Sequence, residues 1–228
     1  MTRVVDVARI HVVNRRLAVG LPLAVLLGVL LLNIAIAIVA GTGEVKTGSV
    51  TAIYAVVGIT MLQAITQFFG FALGLGVTRR AFYAGTALFA VVQAIGYGLL
   101  LTLGVVAERA TGGWGVGLSF FRFGVSVQES PVVHWLDFSA GLLVFSAAGV
   151  AFGVVFKRWG LLGVYATLLT LAAVLIAAAA VIGWQGWWPQ VFSLFSSLPS
   201  PVAGAGVLAL CAVAIGGAGW LVLRCATP

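Results

Sequence analysis

Regularly spaced amide and hydroxyl residues interrupt two long apolar stretches of the chain. The first series recurs at intervals of three and four residues, so it lies on one face of a helix. Its members are Thr60, Gln63, Gln67, Gly70 and Gly74. A second face of this kind consists of Thr86, Ala90, Gln93 and Tyr97. An amide facing hydrocarbon would be an unpaired polar group, so both faces are expected to contact protein or a wet cavity.

Two interpretations of these polar faces stay open. In the first, together with the lone amide of an earlier apolar stretch, they line a route for a transported molecule. The lining residues are then Asn33, Gln63, Gln67, Gln93 and Tyr97. In the second, the same groups only hydrogen-bond between helices and hold a bundle together. Close helix packing is also predicted at two glycine pairs with a four-residue spacing. These are Gly70 with Gly74 and Gly149 with Gly153.

Asp, Glu, Lys, Arg and His are missing from every apolar stretch long enough to cross a membrane. Ion-coupled transporters usually keep a buried charge, because an intramembrane charge is costly and is retained for function. Intramembrane proteases need histidine, carboxylate or a serine–histidine pair at membrane depth. We therefore expect no catalytic residue, no metal site and no cofactor on this chain. An ion-coupled secondary transporter stays an alternative, since neutral carbonyl oxygens can also bind sodium.

The composition predicts the class of protein that carries these polar faces. The chain has 228 residues, of which 62% are hydrophobic and only 7% are charged. Soluble domains carry about 25% charged residues, so the sequence predicts a single, all-α, polytopic membrane domain over 1–228. A bilayer core of about 30 Å needs roughly 20 apolar residues. Six stretches qualify: 17–40, 50–76, 82–107, 138–156, 161–183 and 202–223.

The distribution of basic residues predicts the orientation. With the N-terminus in the cytoplasm, nine of the 12 Lys and Arg residues fall on the inner side and three on the outer side. Cytoplasmic loops are enriched in Lys and Arg, so both termini are expected inside a multi-pass protein of the cell membrane. The net charge of +7 then reflects topology, and no nucleic-acid partner is needed to explain it.

The segments outside the spans carry further predictions. Residues 1–16 are expected to form an N-terminal interfacial segment, and 184–201 an outer re-entrant segment with a short amphipathic helix that begins near Pro189. Four aromatic residues of this segment either cap an exit or form an interfacial belt. They are Trp187, Trp188, Phe192 and Phe195.

A short basic turn between the second and third stretches is a candidate docking tip. Its residues are Thr78, Arg79, Arg80, Phe82 and Tyr83. The two arginines could instead simply anchor helix ends at lipid headgroups. A second inner turn, Lys157-Arg158-Trp159-Gly160, allows the same two interpretations.

The chain resembles the membrane permease subunit of type-2 ATP-binding-cassette (ABC) exporters in the form common in actinobacteria. The local likeness is carried by the segment from Phe71 to Thr86, which contains Gly-Leu-Gly-Val-Thr-Arg-Arg, and by Phe156-Lys157-Arg158-Trp159-Gly160. The C-terminal Leu223-Arg224-Cys225 is similar to the family's basic ending, which more often has a second Arg where this chain has Cys225.

The resemblance implies a role and partners. It implies two six-span permeases, as a homodimer or with a homologous permease, that enclose the translocation path in the bilayer. It also implies two separate ABC ATPase subunits that bind ATP and Mg²⁺ and dock at 78–83. An apolar or amphipathic cargo is expected, since the spans lack charge. The alternative from another class is a non-transporting membrane scaffold or sensor.

Overall fold

Helices account for most of the part of the chain that the structure describes. The computed structural model describes residues 4–8, 19–41, 45–122, 130–196 and 201–224. The helices are α1 (Leu21–Ala40), α2 (Ala52–Gly74), α3 (Arg79–Ala110), α4 (Pro131–Trp184), α5 (Trp188–Ser196) and α6 (Pro201–Arg224). Two short strands, β1 (Val45–Lys46) and β2 (Leu118–Ser119), pair in parallel. The prediction of a helical protein is confirmed.

Apolar side chains cover the outside of the helices as well as the interior. Leu31, Val39 and Leu169 are among many large apolar residues that are exposed. Five helices, α1 to α4 and α6, are long and apolar enough to cross a membrane. Because so large an exposed apolar surface is unfavourable in water, the fold is that of a multi-pass membrane protein.

The fourth and fifth predicted spans fall within the 54 residues of α4, where the chain bends sharply. Gly160 has φ 65° and ψ −158°, a left-handed conformation that glycine adopts without a Cβ penalty. A Cβ at Gly163 would lie 3.6 Å from Val155 Cγ1. Residues eight apart in a straight helix are separated by about 12 Å. The parts 131–159 and 161–184 are therefore two helices joined by a tight turn.

Contacts between helices fix their relative directions. Gly58 of α2 meets Gly149 of α4, and Ile65 meets Gly153, so α2 and the first part of α4 run the same way. Gly98 of α3 meets Ser139, and the later residue Arg109 meets the earlier residue His134, so α3 runs the opposite way. On α6, Gly219 meets Ala151 and Val222 meets Arg158, and α6 runs parallel to the first part of α4.

Helices α3 and α4 extend beyond the predicted stretches 82–107 and 138–156 into the segment between them. Helix α3 continues to Ala110, and α4 already starts at Pro131. Ser130 caps α4, since its Oγ accepts from the Val133 N–H at 3.4 Å, and proline is favoured at the first position of a helix. The connection itself spans only 111–130.

The predicted interfacial segment 1–16 is described over 4–8, which is helical. Val7 is only 1% exposed and packs in a cluster with Met61, Phe69 and Phe82. A Cβ on Gly85 would overlap the Val7 side chain. This part of the N-terminal segment therefore packs against the bundle. The rest of the prediction, 1–3 and 9–16, lies outside the described residues.

Candidate functional site: a basic rim at one end of the bundle

Three segments that are far apart in sequence meet at one end of the bundle. The helix directions bring the start of α3, the turn at Gly160 and the end of α6 to the same level. Arg79 donates from Nη1 to the Arg224 carbonyl at 3.1 Å, and Arg158 donates from Nη1 to the Val222 carbonyl at 3.4 Å. We call Arg79, Arg80, Arg158 and Arg224 the basic rim. The charge pattern predicts this end to be cytoplasmic.

Local sequence explains the turn that carries Arg79 and Arg80. The chain leaves α2 through a turn in which the Val77 N–H donates to the Ala72 carbonyl at 3.1 Å. Thr78 then takes an extended conformation, and its Oγ1 accepts from the Ala81 N–H at 3.2 Å. Threonine is a favoured N-cap because it satisfies one of the open N–H groups of the first turn. The cap therefore fixes where α3 begins.

The five predicted docking residues occupy different environments. Thr78 is the N-cap, while Arg80 is exposed at the surface. Phe82 is fully buried, with its ring 5.4 Å from that of Phe69. Tyr83 donates from Oη to the Gly216 carbonyl of α6. The structure thus leaves Arg80 exposed, half-buries Arg79 against the end of α6, and connects the two aromatic residues to α2 and α6.

A groove with both charged and aromatic walls lies at the rim. It measures about 470 Å³ and is lined by Arg80, Tyr83, Ala84, Trp220 and Arg224. The Tyr83 and Trp220 rings are 5.4 Å apart and form its apolar floor. On the neighbouring turn, the Arg158 guanidinium lies 4.5 Å above the Trp159 ring, a cation–π arrangement. Planar guanidinium groups beside aromatic rings suit binding of carboxylate, phosphate or a protein partner.

The residues predicted to line a path do not gather along one surface. Asn33 donates to the Val29 carbonyl at 2.8 Å and lies 3.5 Å from Ser49 Oγ, near the other end of the bundle. Gln93 and Tyr97 are buried and share a side-chain hydrogen bond, as their spacing on α3 suggests. Gln63 is partly buried, and Gln67 is exposed on α2.

The predicted packing glycines separate into two pairs. Gly149 and Gly153 lie where α4 crosses α2, and a Cβ on Gly149 would overlap the Gly58 carbonyl oxygen. Gly70 and Gly74 face open space, with no atom within 4 Å of a Cβ built on either. The second pair therefore makes no helix contact among the described residues of this chain.

The predicted outer segment contains α5. Trp188 and Phe192 lie one turn apart with their rings 6.0 Å apart, and together with Trp187 they are exposed. Phe195 lies within α5, and its side chain is outside the described residues. The short helix is present where its apolar pattern indicates, and its exposed rings are compatible with either a cap or an interfacial belt.

A buried carboxylate lies at the opposite end of the bundle, and the sequence patterns described above do not predict it. Glu108 is 0% exposed, and its Oε2 accepts from the N–H groups of Phe120 at 2.8 Å and Phe121 at 2.7 Å. Arg122 Nε donates to its Oε1 at 2.8 Å, and Trp114 Nε1 lies 3.4 Å from Oε2. The available signal was a lone acid at the end of an apolar helix, followed by a glycine- and aromatic-rich segment.

Comparison with models of known protein families, with curated proteins and with solved structures finds no match. The class of the protein thus rests on its own features, which are those of a helical, multi-pass membrane protein. The features that bear on a more specific role are the basic rim and the polar residues of the helices.

Proposed function

We propose that this chain is the membrane-spanning permease subunit of an ATP-driven ABC exporter. Two copies, or this chain and a homologous permease, form the translocation path, and two separate ATPase subunits bind ATP and Mg²⁺. The observation that carries the proposal is the basic rim. Both short basic turns and the basic C-terminal end of α6, which the family resemblance marks, lie together at one end of the bundle.

The rim has the properties of a docking surface. Arginine carries five N–H donors, and the contacts of Arg79 and Arg158 described above use one donor of each. Arg80 projects into the groove beside Tyr83 and Trp220. An acidic and aromatic surface of an ATPase subunit would complement this combination of charge and rings.

The turn at Thr78 is connected to the helices that would have to move. Phe82 packs on Phe69 of α2, and Tyr83 is bonded to Gly216 of α6. A displacement imposed at the turn is therefore transmitted to α2 and α6 as well as to α3. Such a linkage would let ATP-driven closure of the partner subunits switch access from one side of the membrane to the other.

An exposed face of α2 supports assembly with a second copy. Gln67, Gly70 and Gly74 are exposed, and both glycines face open space. An amide exposed to hydrocarbon would be costly, whereas a second permease could cover it and approach closely at the glycines. In this arrangement the turn at Gly160 divides α4 into two crossings, which gives six spans with both termini in the cytoplasm.

Charge reversal at the rim tests the proposal. Arg79→Glu together with Arg80→Glu should abolish co-purification of the ATPase subunit and stimulation of its ATP hydrolysis, without preventing membrane insertion. The matched control, Arg79→Lys with Arg80→Lys, keeps the charge and should retain most of the binding. If the Glu double variant binds the ATPase and supports transport as the unmodified protein does, this site assignment is wrong.

A non-transporting scaffold or sensor is the second candidate. It is favoured by the polar residues whose side chains bond within their own helix, such as Asn33 to the Val29 carbonyl and Thr102 to the Gly98 carbonyl. Purification distinguishes the two roles. A stoichiometric complex with an ATPase subunit supports the permease, whereas a stable protein that captures no ATPase and moves no cargo supports the scaffold.

A further inference from the structure

A cavity of about 270 Å³ lies within the bundle, between α3, the first part of α4, and α6. Small residues from all three helices leave this space open. They include Ala90, Ala147, Ala212 and Gly216. The wall is almost entirely apolar, and its few polar residues are Tyr83, Thr86 and Ser146.

One of these polar groups lacks a partner. Tyr83 Oη donates to the Gly216 carbonyl, and Thr86 Oγ1 donates to the Phe82 carbonyl at 3.0 Å. Ser146 is 0% exposed, and its Oγ has no hydrogen-bond partner among the described residues. A buried hydroxyl without a partner is unfavourable, and native proteins rarely keep one. The cavity therefore offers a single hydrogen-bonding position in apolar surroundings.

The size and the opening of the cavity define what can enter. A dry protein cavity of about 150 Å³ is known to hold benzene, so this one accommodates a larger molecule. Val91 and Val213 belong to its wall and are 40% and 72% exposed on the lateral surface of the bundle. Since the surrounding surface is apolar, a ligand would reach the cavity sideways from the bilayer.

We propose that this cavity is a binding site for a small, mostly apolar molecule that carries one hydroxyl or carbonyl oxygen. The apolar part fills the space between Ala90, Ala147 and Ala212, and the oxygen bonds to Ser146 Oγ. A serine hydroxyl can donate to a carbonyl and can donate to or accept from a hydroxyl. The site depends neither on the basic rim nor on an ATPase partner.

A photoactivatable alcohol tests the site directly. The full-length protein in phosphatidylcholine nanodiscs is illuminated with an octanol that carries a diazirine, and adducts are mapped by mass spectrometry. Saturable labelling is expected in three peptides, around 83–91, 143–150 and 209–216, and unlabelled octanol should compete for it. The diazirine-bearing octane without the hydroxyl should label the same peptides about three- to tenfold less at equal membrane concentration, the range of one ordinary hydrogen bond.

Two pairs of variants test the Ser146 hydroxyl and the volume of the cavity separately. Ser146→Ala should weaken alcohol labelling about three- to tenfold, while Ser139→Ala, a buried serine on the same helix outside the cavity, should leave it unchanged. Ala212→Phe should abolish labelling by filling the cavity, and Ala214→Phe, two residues further along α6 and exposed, should not. If Ala212→Phe fails to insert, Ala147→Leu provides a second, smaller filling variant.

Three outcomes would overturn the proposal. The first is labelling that spreads along all helices without saturation, because this reflects partition into lipid. The second is equal labelling by the octane and the octanol together with no effect of Ser146→Ala, because the hydroxyl then plays no part. The third is labelling that unlabelled octanol fails to reduce, because the alcohol then has no site of its own in the cavity. None of these readouts requires transport or ATPase activity.

Discussion

The two ends of the bundle differ in whether their charged side chains are enclosed or exposed. At the predicted outer end, Glu108 is fully enclosed and bonded to Arg122 and to backbone N–H groups. At the predicted inner end, Arg80, Arg158 and Arg224 are exposed. An enclosed, paired charge fixes the shape of a loop, whereas exposed arginines beside aromatic rings are available to a partner. The enclosed charge therefore stabilises the outer end, whereas the inner end is the one that we propose binds a partner.

The outer end also shows how its loop is held. Between α3 and β2 the backbone is left-handed at Trp114 (φ 61°) and at Gly113 (φ 80°). A left-handed tryptophan costs about 1 to 2 kcal/mol. Trp114 Nε1 lies 3.4 Å from the Glu108 carboxylate, and its ring lies 6.0 Å from that of Phe121. The carboxylate thus organises a tight chain reversal over the end of α3.

The largest effect is expected from removing this carboxylate. Glu108→Ala leaves the buried Phe120 and Phe121 N–H groups without their acceptor and removes the ion pair with Arg122, so the free energy of unfolding should fall by about 3 to 5 kcal/mol. Titration with SDS in mixed micelles measures the loss. Glu108→Gln keeps an oxygen for the N–H groups and should lose less. A variant Glu108→Ala as stable as the unmodified protein would show that the outer end is not held by this group.

A smaller effect is expected at the adjacent glycines. Gly112 and Gly113 both have positive φ, but a Cβ on Gly113 would lie 2.7 Å from the Leu118 nitrogen, while one on Gly112 meets nothing within 4 Å. Gly112→Ala should therefore cost about 1 to 2 kcal/mol from the backbone alone. Gly113→Ala should cost about 1 to 3 kcal/mol more because of the clash. The same SDS titration compares them, and equal losses would mean that the loop adjusts to the added methyl group.

Sequence patterns predict the structure of the inner end better than that of the outer end. The inner turn is local, since α2 stops at Gly74 and Thr78 caps α3 within a few residues, and its position follows from the sequence. The enclosure of Glu108 depends on residues 12 to 14 positions later that return over the end of α3, and no helical period encodes such a return. Likewise, the spacing of Gln93 and Tyr97 predicts that they share a face, but not that Asn33 lies apart from them. The opposite exposure of Gly70 and Gly149 is set by which helices become neighbours.

The smallest effect on stability is expected at the basic rim. Variants of the rim therefore test directly whether the two ends of the bundle have different roles. Arg79→Ala and Arg158→Ala each remove one exposed hydrogen bond to a carbonyl of α6. Exposed charged contacts contribute at most about 1 kcal/mol, so the SDS midpoint should barely move in either variant.

Binding of the proposed ATPase subunit should nevertheless weaken in both variants. It should also fall as salt rises from 50 to about 500 mM, since the Debye length shortens from about 10 Å at 0.1 M towards 3 Å at 1 M. The stability of the Glu108 end should be insensitive to the same salt, because a buried pair is screened much less. If the rim variants unfold as readily as Glu108→Ala, the arginines hold the bundle together, and the division of roles between the two ends is wrong.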